Sequence, residues 1–328
     1  MRRVTDIDIA KGIGILMVMG LHCGFHQNWM TTFEMPLFFI LSGLFFKADM
    51  PFRQFLTKKI NTLLIPYIFF EAPKLAYDFW YFASHDVSII ECYTSSSVPT
   101  TTWFILCLFE IQIACYAIFK VSNAKVWLIS VAAALFLAGY CLSAAHIYNF
   151  LFLCSAVTGS SFFLTGYLAK KLITKSPEPV ISAASGGVML AICYLIWNID
   201  HPNVFYRGNR LDDYLPLVIA MAFCGSAGII SLSKSFNSRF VEFFGRNSLI
   251  ILGTHLYVFL IFERLNANLH PMLLFLTGVI LEIPIILTLR KFLPYLCGIK
   301  PLFGNYQSNP KHPIDRQSLN SSKELASR

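Results

Sequence analysis

The 328-residue chain is 56% hydrophobic and only 13% charged. This composition excludes an ordinary soluble domain and is typical of a protein that crosses a membrane several times. The formal net charge of +8 follows mainly from lysine and arginine beside the apolar segments, so we expect membrane lipids, and not nucleic acid, as partners. The nine cysteines show no paired spacing, so the sequence predicts neither a disulfide framework nor a metal site.

Ten apolar segments follow one another along the chain. They cover residues 9–24, 33–46, 62–82, 102–119, 126–143, 150–169, 180–197, 214–232, 248–262 and 272–289. Basic residues concentrate in every second connection, as expected when those connections face the cytoplasm. The sequence therefore predicts an all-α polytopic membrane protein, a bundle of about ten transmembrane helices with cytoplasmic N- and C-termini. Residues 1–302 would form the membrane domain and residues 303–328 a polar, disordered cytoplasmic tail.

The first segment carries an unusual pair of polar residues, Lys11 and His22. Eleven positions on an α-helix make about three turns, so both side chains project from one face, roughly 16 Å apart along the axis. Such groups are unfavourable in lipid and normally face a bundle interior or a water-filled cavity. Two interpretations stay open: a functional pair, or a structural histidine bonded to a neighbouring helix.

A short reversal after His22 makes the first two helices antiparallel neighbours and brings Glu34 toward the same end of the bundle. A carboxylate bonded to one ring nitrogen orients an imidazole and makes the other nitrogen a better base. We therefore predict His22 and Glu34 as the catalytic residues.

Other polar side chains lie within the later apolar segments. Spacings of three and four place one acidic, one basic and one acidic residue on a single face of the third helix, which predicts a self-compensating ion cluster. His255 is either a second functional imidazole or a helix-packing hydrogen-bond partner. The remaining carboxylates need partners from other helices. The residues concerned are Glu71, Lys74, Asp78, Glu110 and Glu282.

Several ordered segments resemble the acyltransferase-3 family of membrane O-acyltransferases, especially its bacterial fucose 4-O-acetylase-like branch. They are DIAKGIGILMVMGLH, MPLFFILSGLFF, LLIPY, TTWFILCLF, FFLTGYLAKKL and FFGRNSLIILGTH. The resemblance implies a ten-helix enzyme of the bacterial inner membrane. It would move an acyl group, commonly acetyl, from acyl-CoA to a hydroxyl of a cell-surface or lipid-linked saccharide such as O-antigen or exopolysaccharide. Lys11 and His22 match a basic residue and a histidine of the family, with lysine here where arginine is common. Glu34 stands where relatives often carry histidine.

These roles lead to further expectations. Lys11, with Arg53, Lys58 and Lys59, would attract the phosphates of acetyl-CoA, the cosubstrate, and no metal is expected. Neutral His22 would act as general base on the sugar hydroxyl, or would first form an acetyl-imidazole; the sequence leaves both open. An outer loop would contact the saccharide through Arg210, Asp212 and Asp213.

Two other classes of function stay open. A transporter or flippase for a sugar-linked or small-molecule substrate would also carry intramembrane charges, and would show coupled transport without acyl-CoA turnover. A non-catalytic scaffold would tolerate replacement of Lys11 and His22.

Overall fold

A computed structural model describes residues 2–25, 28–85, 102–175, 177–211, 214–265 and 269–304. Within these ranges the regular structure is helical, apart from one antiparallel bridge between Phe205 and Arg210. The helices are α1 (Arg2–His22), α2 (Thr31–Gly43), α3 (Phe52–Lys59), α4 (Ile65–His85), α5 (Trp103–Val121), α6 (Lys125–Ala144), α7 (Leu153–Leu168), α8 (Lys170–Ile173), α9 (Pro179–Asp200), α10 (Leu215–Leu232), α11 (Arg239–Arg246), α12 (Ser248–Arg264) and α13 (Pro271–Phe292). A π-helical segment, Ile60–Leu64, joins α3 to α4.

Six of the described helices are long and apolar enough to cross a membrane: α5, α6, α7 with its preceding turn, α9, α10 and α13. A seventh span results if α11 and α12, which meet at 87°, are counted as one broken helix. The prediction of a helical, multi-pass membrane protein is thus confirmed. A helix occupies each of the ten apolar segments, but ten spans and cytoplasmic termini stay predictions.

Helices α1 and α2 are not among the candidate membrane spans, and their length and charge explain why. The 13-residue α2 is too short by itself, because a 30 Å hydrocarbon layer needs about 20 residues. Helix α1 carries acidic and basic residues in its first half. Both helices are instead largely buried among their neighbours, so the interior of the bundle and not lipid surrounds most of their side chains.

Close packing between α1 and α11 shapes the end of the bundle at which Lys11 lies. A Cβ atom on Gly245 would lie 1.7 Å from the carbonyl oxygen of Asp8, and one on Gly12 would lie 2.1 Å from that of Val241. Only glycine therefore permits this approach. The contact brings the end of α11 against the first half of α1.

The connection between α9 and α10 folds back into the bundle. The buried Tyr206 hydroxyl donates to the Thr32 carbonyl at 2.9 Å. Asn209 accepts from the Thr158 hydroxyl at 2.6 Å and donates to the Gly139 carbonyl at 3.0 Å. Because Thr32 lies just after the reversal that follows α1, this connection lies at the same end of the bundle as His22.

The predicted tail begins with residues that the fold holds. Asn61 donates to the Phe303 carbonyl at 2.9 Å and accepts from the Leu302 and Phe303 amides. The described part of the chain thus stays attached to the π-helical segment through Phe303, and residues 305–328 lie outside the described ranges.

Candidate active site

A cavity of about 610 Å³ opens between α1, α2, α5 and the helices from α11 to α13. One part is polar, formed by Lys11, Arg246, Arg290 and Asp8. The rest of the lining is mostly apolar, with Ile15, Met35, Phe38, Leu63, Phe104, Ile105, Leu108, Leu249 and Leu252. Three cations face one carboxylate here, so the polar part attracts anions while the apolar part suits an uncharged chain.

Two arginines of this cavity are held in position by hydrogen bonds. Arg246 Nε lies 3.3 Å from Asp8 Oδ2, and the same guanidinium pairs with Glu242. Arg290 donates from Nη1 to Asn247 Oδ1 at 2.7 Å. Asn247 occupies the bend between α11 and α12. The bend thus directs both guanidinium groups to one place, and each retains further N–H donors for a ligand.

Lys11 lies in this cavity, half-buried, with Nζ 5.8 Å from the Phe45 ring centroid. Sequence reasoning missed Arg246 and Arg290. Arg246 stands in the FFGRNS segment that contributed to the family resemblance. For Arg290, the only sequence signal was its position at the end of an apolar segment.

The other predicted phosphate-binding residues, Arg53, Lys58 and Lys59, lie on α3. The described lining of the cavity does not include them. Leu63, which does line it, follows Lys59 by four positions. Burial and the neighbouring Lys58 charge lower the pKa of Lys59 to about 8. Helix α3 therefore borders the cavity, and its role in donor binding stays a prediction.

The second half of the site is a pair of imidazoles. The rings of His22 and His255 lie with their centroids 5.2 Å apart. His255 is fully buried, whereas His22, the last residue of α1, is exposed. His255 Nδ1 lies 2.6 Å from the Ile251 carbonyl oxygen, so Nδ1 carries the proton and Nε2 has a free lone pair.

The bonding of His255 differs from the helix-packing role considered from the sequence. Its hydrogen bond stays within α12, and no described residue gives Nε2 a hydrogen-bond partner. A buried polar atom without a partner is unfavourable and uncommon in folded proteins. The packing bond is made instead by the preceding residue, Thr254, whose hydroxyl lies 2.9 Å from Glu282 Oε2 on α13.

The remaining charged side chains of the apolar segments are paired within a helix, between helices or not at all: Oε2 of Glu110, predicted to need a partner from another helix, is buried without a hydrogen-bond partner among the described residues. The ion pair between Lys74 and Asp78 is present on α4, as predicted. Glu71 accepts instead from the Thr102 hydroxyl at the start of α5. Glu34 is buried in the first turn of α2, and its predicted role as the partner that orients His22 stays a prediction.

A further cavity of about 530 Å³ lies beside the folded connection at the His22 end of the bundle. Its polar lining includes Lys74, His146, Asn149, Arg207 and Arg210, and its aromatic lining is Tyr148, Phe152 and Phe205. No described acidic residue lines it. Of the three predicted saccharide-binding residues, Arg210 is therefore in a cavity, whereas Asp212 and Asp213 lie outside the described residues.

The described residues thus form a multi-pass helical membrane protein with a cationic cavity and a pair of neighbouring imidazoles, one buried and one exposed. Comparison with family models gives the family. The chain belongs to the acyltransferase-3 family, whose model, described as an acyltransferase domain, matches residues 4–291. It is accordingly a membrane acyltransferase. No curated protein and no solved structure matches the chain significantly.

Proposed function

We propose that this enzyme transfers an acetyl group from acetyl-CoA to a hydroxyl of a cell-surface or lipid-linked saccharide at the bacterial inner membrane. One observation carries the proposal: two imidazoles meet where α1 ends, and the same helix contributes Lys11 to a cationic cavity. Such an arrangement suits a substrate with phosphates at one end and a reactive acyl group at the other.

The cationic cavity is the proposed donor site. Lys11, Arg246 and Arg290 would hold the phosphates, the arginines through paired N–H donors and the lysine as a point charge. The apolar lining would take the uncharged arm of the donor, and the volume of about 610 Å³ lies within the usual range for small-molecule sites. Leu252 lines the cavity one helical turn before His255, so the thioester would reach the imidazole pair by following α12.

Proton transfer by the imidazole pair is the proposed chemical step. Neutral His22, which is exposed, would take the proton of the sugar hydroxyl while that oxygen attacks the thioester carbonyl carbon. The C–S bond breaks, and the CoA thiolate receives the proton from the His22 imidazolium. His255 Nε2 offers a lone pair next to His22, where it would orient the ring and stabilise its charged form, as the carboxylate does in hydrolase triads.

The cavity at the His22 end is the proposed acceptor site. Aromatic faces with a few fixed hydrogen-bonding groups are what a sugar site requires. Tyr148 and Phe205 would supply aromatic faces to this site. Asn149 donates a hydrogen bond to the Arg207 carbonyl at 2.8 Å, which joins the two parts of the chain that line the cavity. Arg210→Ala is expected to raise the KM for saccharide without changing the KM for acetyl-CoA.

The proposal is tested with membranes or purified full-length protein, labelled acetyl-CoA and candidate surface glycans. Label should enter the saccharide fraction in proportion to free CoA thiol released. Lys11→Met and His22→Ala should abolish or strongly reduce both signals. Saccharide transport without thioester consumption in the unmodified protein would contradict the proposal and favour a transporter.

A further inference from the structure

A second strongly charged cavity, of about 720 Å³, lies at the other end of the bundle from the imidazole pair. Five lysines from four parts of the chain converge on it, and Asp49 is the single carboxylate in its described lining. The five are Lys47, Lys120, Lys125, Lys170 and Lys171. All five are exposed, and none forms an ion pair with a described residue. The cavity shares no lining residue with the proposed donor site.

An apolar groove of about 450 Å³ continues from this basic cavity along an exposed face of α6. Leu168, at the end of α7, lines both. On α6 the lining passes in sequence from Lys125 and Leu128 in the basic cavity to residues 129–137 in the groove. Eight positions on a helix correspond to about 12 Å. The groove is therefore long enough to hold a substantial part of an acyl chain.

The basic cavity and the adjoining apolar groove thus correspond to the two parts of an anionic phospholipid, its charged head group and its acyl chain. We infer that the basic cavity and the groove together bind one anionic phospholipid, with its phosphate among the lysines and an acyl chain between α6, α7 and α10. Basic pockets between transmembrane helices are suited to such head groups. A soluble polyanion would use the lysines but would gain nothing from the groove.

The test uses the full-length protein in detergent, with native mass spectrometry to count bound phosphatidylglycerol or phosphatidylcholine. One phosphatidylglycerol should stay bound at concentrations where phosphatidylcholine does not. A variant with Lys125, Lys170 and Lys171 all changed to Gln should bind it roughly a hundredfold more weakly, from about fivefold per lysine. A charge-matched control changes Lys175, Arg239 and Lys300, which do not line the cavity, to Gln and should retain binding.

A second variant separates lipid from soluble ligand and does not depend on the lysine changes. Ala133 is exposed and lines the groove, so Ala133→Trp fills the groove while leaving all five lysines in place. It should displace phosphatidylglycerol. The inference is wrong if Ala133→Trp binds phosphatidylglycerol normally. It is also wrong if inorganic pyrophosphate or CoA displaces the lipid from the site, or if the control variant loses lipid binding as much as the lysine variant does.

Discussion

The proposed coupling between His22 and His255 is tested by removing each imidazole and then both. His22 is exposed, so His22→Ala leaves no buried void. His255 is fully buried, so His255→Phe is the better change because it keeps a ring of similar size and removes the lone pair of Nε2. The change also removes the hydrogen bond from His255 Nδ1 to the Ile251 carbonyl. That carbonyl still accepts a backbone hydrogen bond within α12, so it is not left unpaired.

The magnitude follows from the role of a positioned base. Its loss typically reduces the rate by about 10² to 10⁴, or roughly 3 to 5 kcal/mol of transition-state stabilisation. The ring centroids lie 5.2 Å apart, well inside the distance at which mutations couple. Groups that act as one unit show non-additive losses, so the double variant should be no slower than the slower single variant. Independent roles would instead multiply the two losses.

The assay measures initial rates of labelled acetyl transfer in membranes containing equal amounts of each variant. His270→Ala is the matched control, because His270 is an exposed histidine whose Nδ1 accepts from the Met272 amide at the start of α13, away from the imidazole pair. It should retain activity. Turnover near that of the unmodified protein in His22→Ala, or a double variant that shows the product of both losses, would refute the coupled pair.

Three further predictions concern donor binding, pH and stability. Lys11→Arg should retain activity and Lys11→Met should raise the KM for acetyl-CoA, whereas equal kinetics in both variants would show that the cation is not needed. Because the pKa of Lys59 is lowered to about 8 in the folded protein, the unfolded chain binds more protons between pH 8 and 10.5. The thermal midpoint of unfolding should therefore rise with pH in this window, and Lys59→Met should remove that rise. If the midpoint of the Lys59→Met variant rises with pH as steeply as that of the unmodified protein, the prediction is wrong. Asn209→Ala removes two hydrogen bonds, those with the Thr158 hydroxyl and the Gly139 carbonyl, while Thr158 keeps the Cys154 carbonyl 3.5 Å from its hydroxyl. Unfolding measurements should therefore show a loss of about 1–3 kcal/mol in the free energy of unfolding, and an unchanged free energy would show that these bonds are replaced.

Much of the architecture could be predicted because lipid restricts the chain to helices and their apolar segments are visible in the sequence. Lys11 and His22 were also visible, since charged or imidazole groups are rare inside such segments. His255 was found for the same reason. Its proximity to His22 could not be predicted, because the two residues are separated by most of the chain and only helix packing sets their distance.

Arg246 and Arg290, in contrast, could not be recognised as cavity residues from the sequence. Both stand at helix ends, where basic residues occur for topological reasons in any membrane protein. The FFGRNS segment that contains Arg246 contributed to the family resemblance, but it did not assign Arg246 a role in ligand binding. Their place in the cavity comes from tertiary contacts. Gly12 and Gly245 let α1 and α11 approach closely enough to place Arg246 beside Asp8.

A repeated order of cation and imidazole connects the two halves of the site. On α1, Lys11 precedes His22; in the bent unit of α11 and α12, Arg246 precedes His255. Each cation lies in the cavity proposed as the donor site, and the two imidazole rings lie 5.2 Å apart between their centroids. Two neighbouring segments of the chain thus run from the same charged region to the same pair of imidazoles. A ligand with phosphates and a thioester at its opposite ends would contact both segments along its length, so changes that separate α1 from α11, such as enlarging Gly245, should impair donor binding and catalysis together.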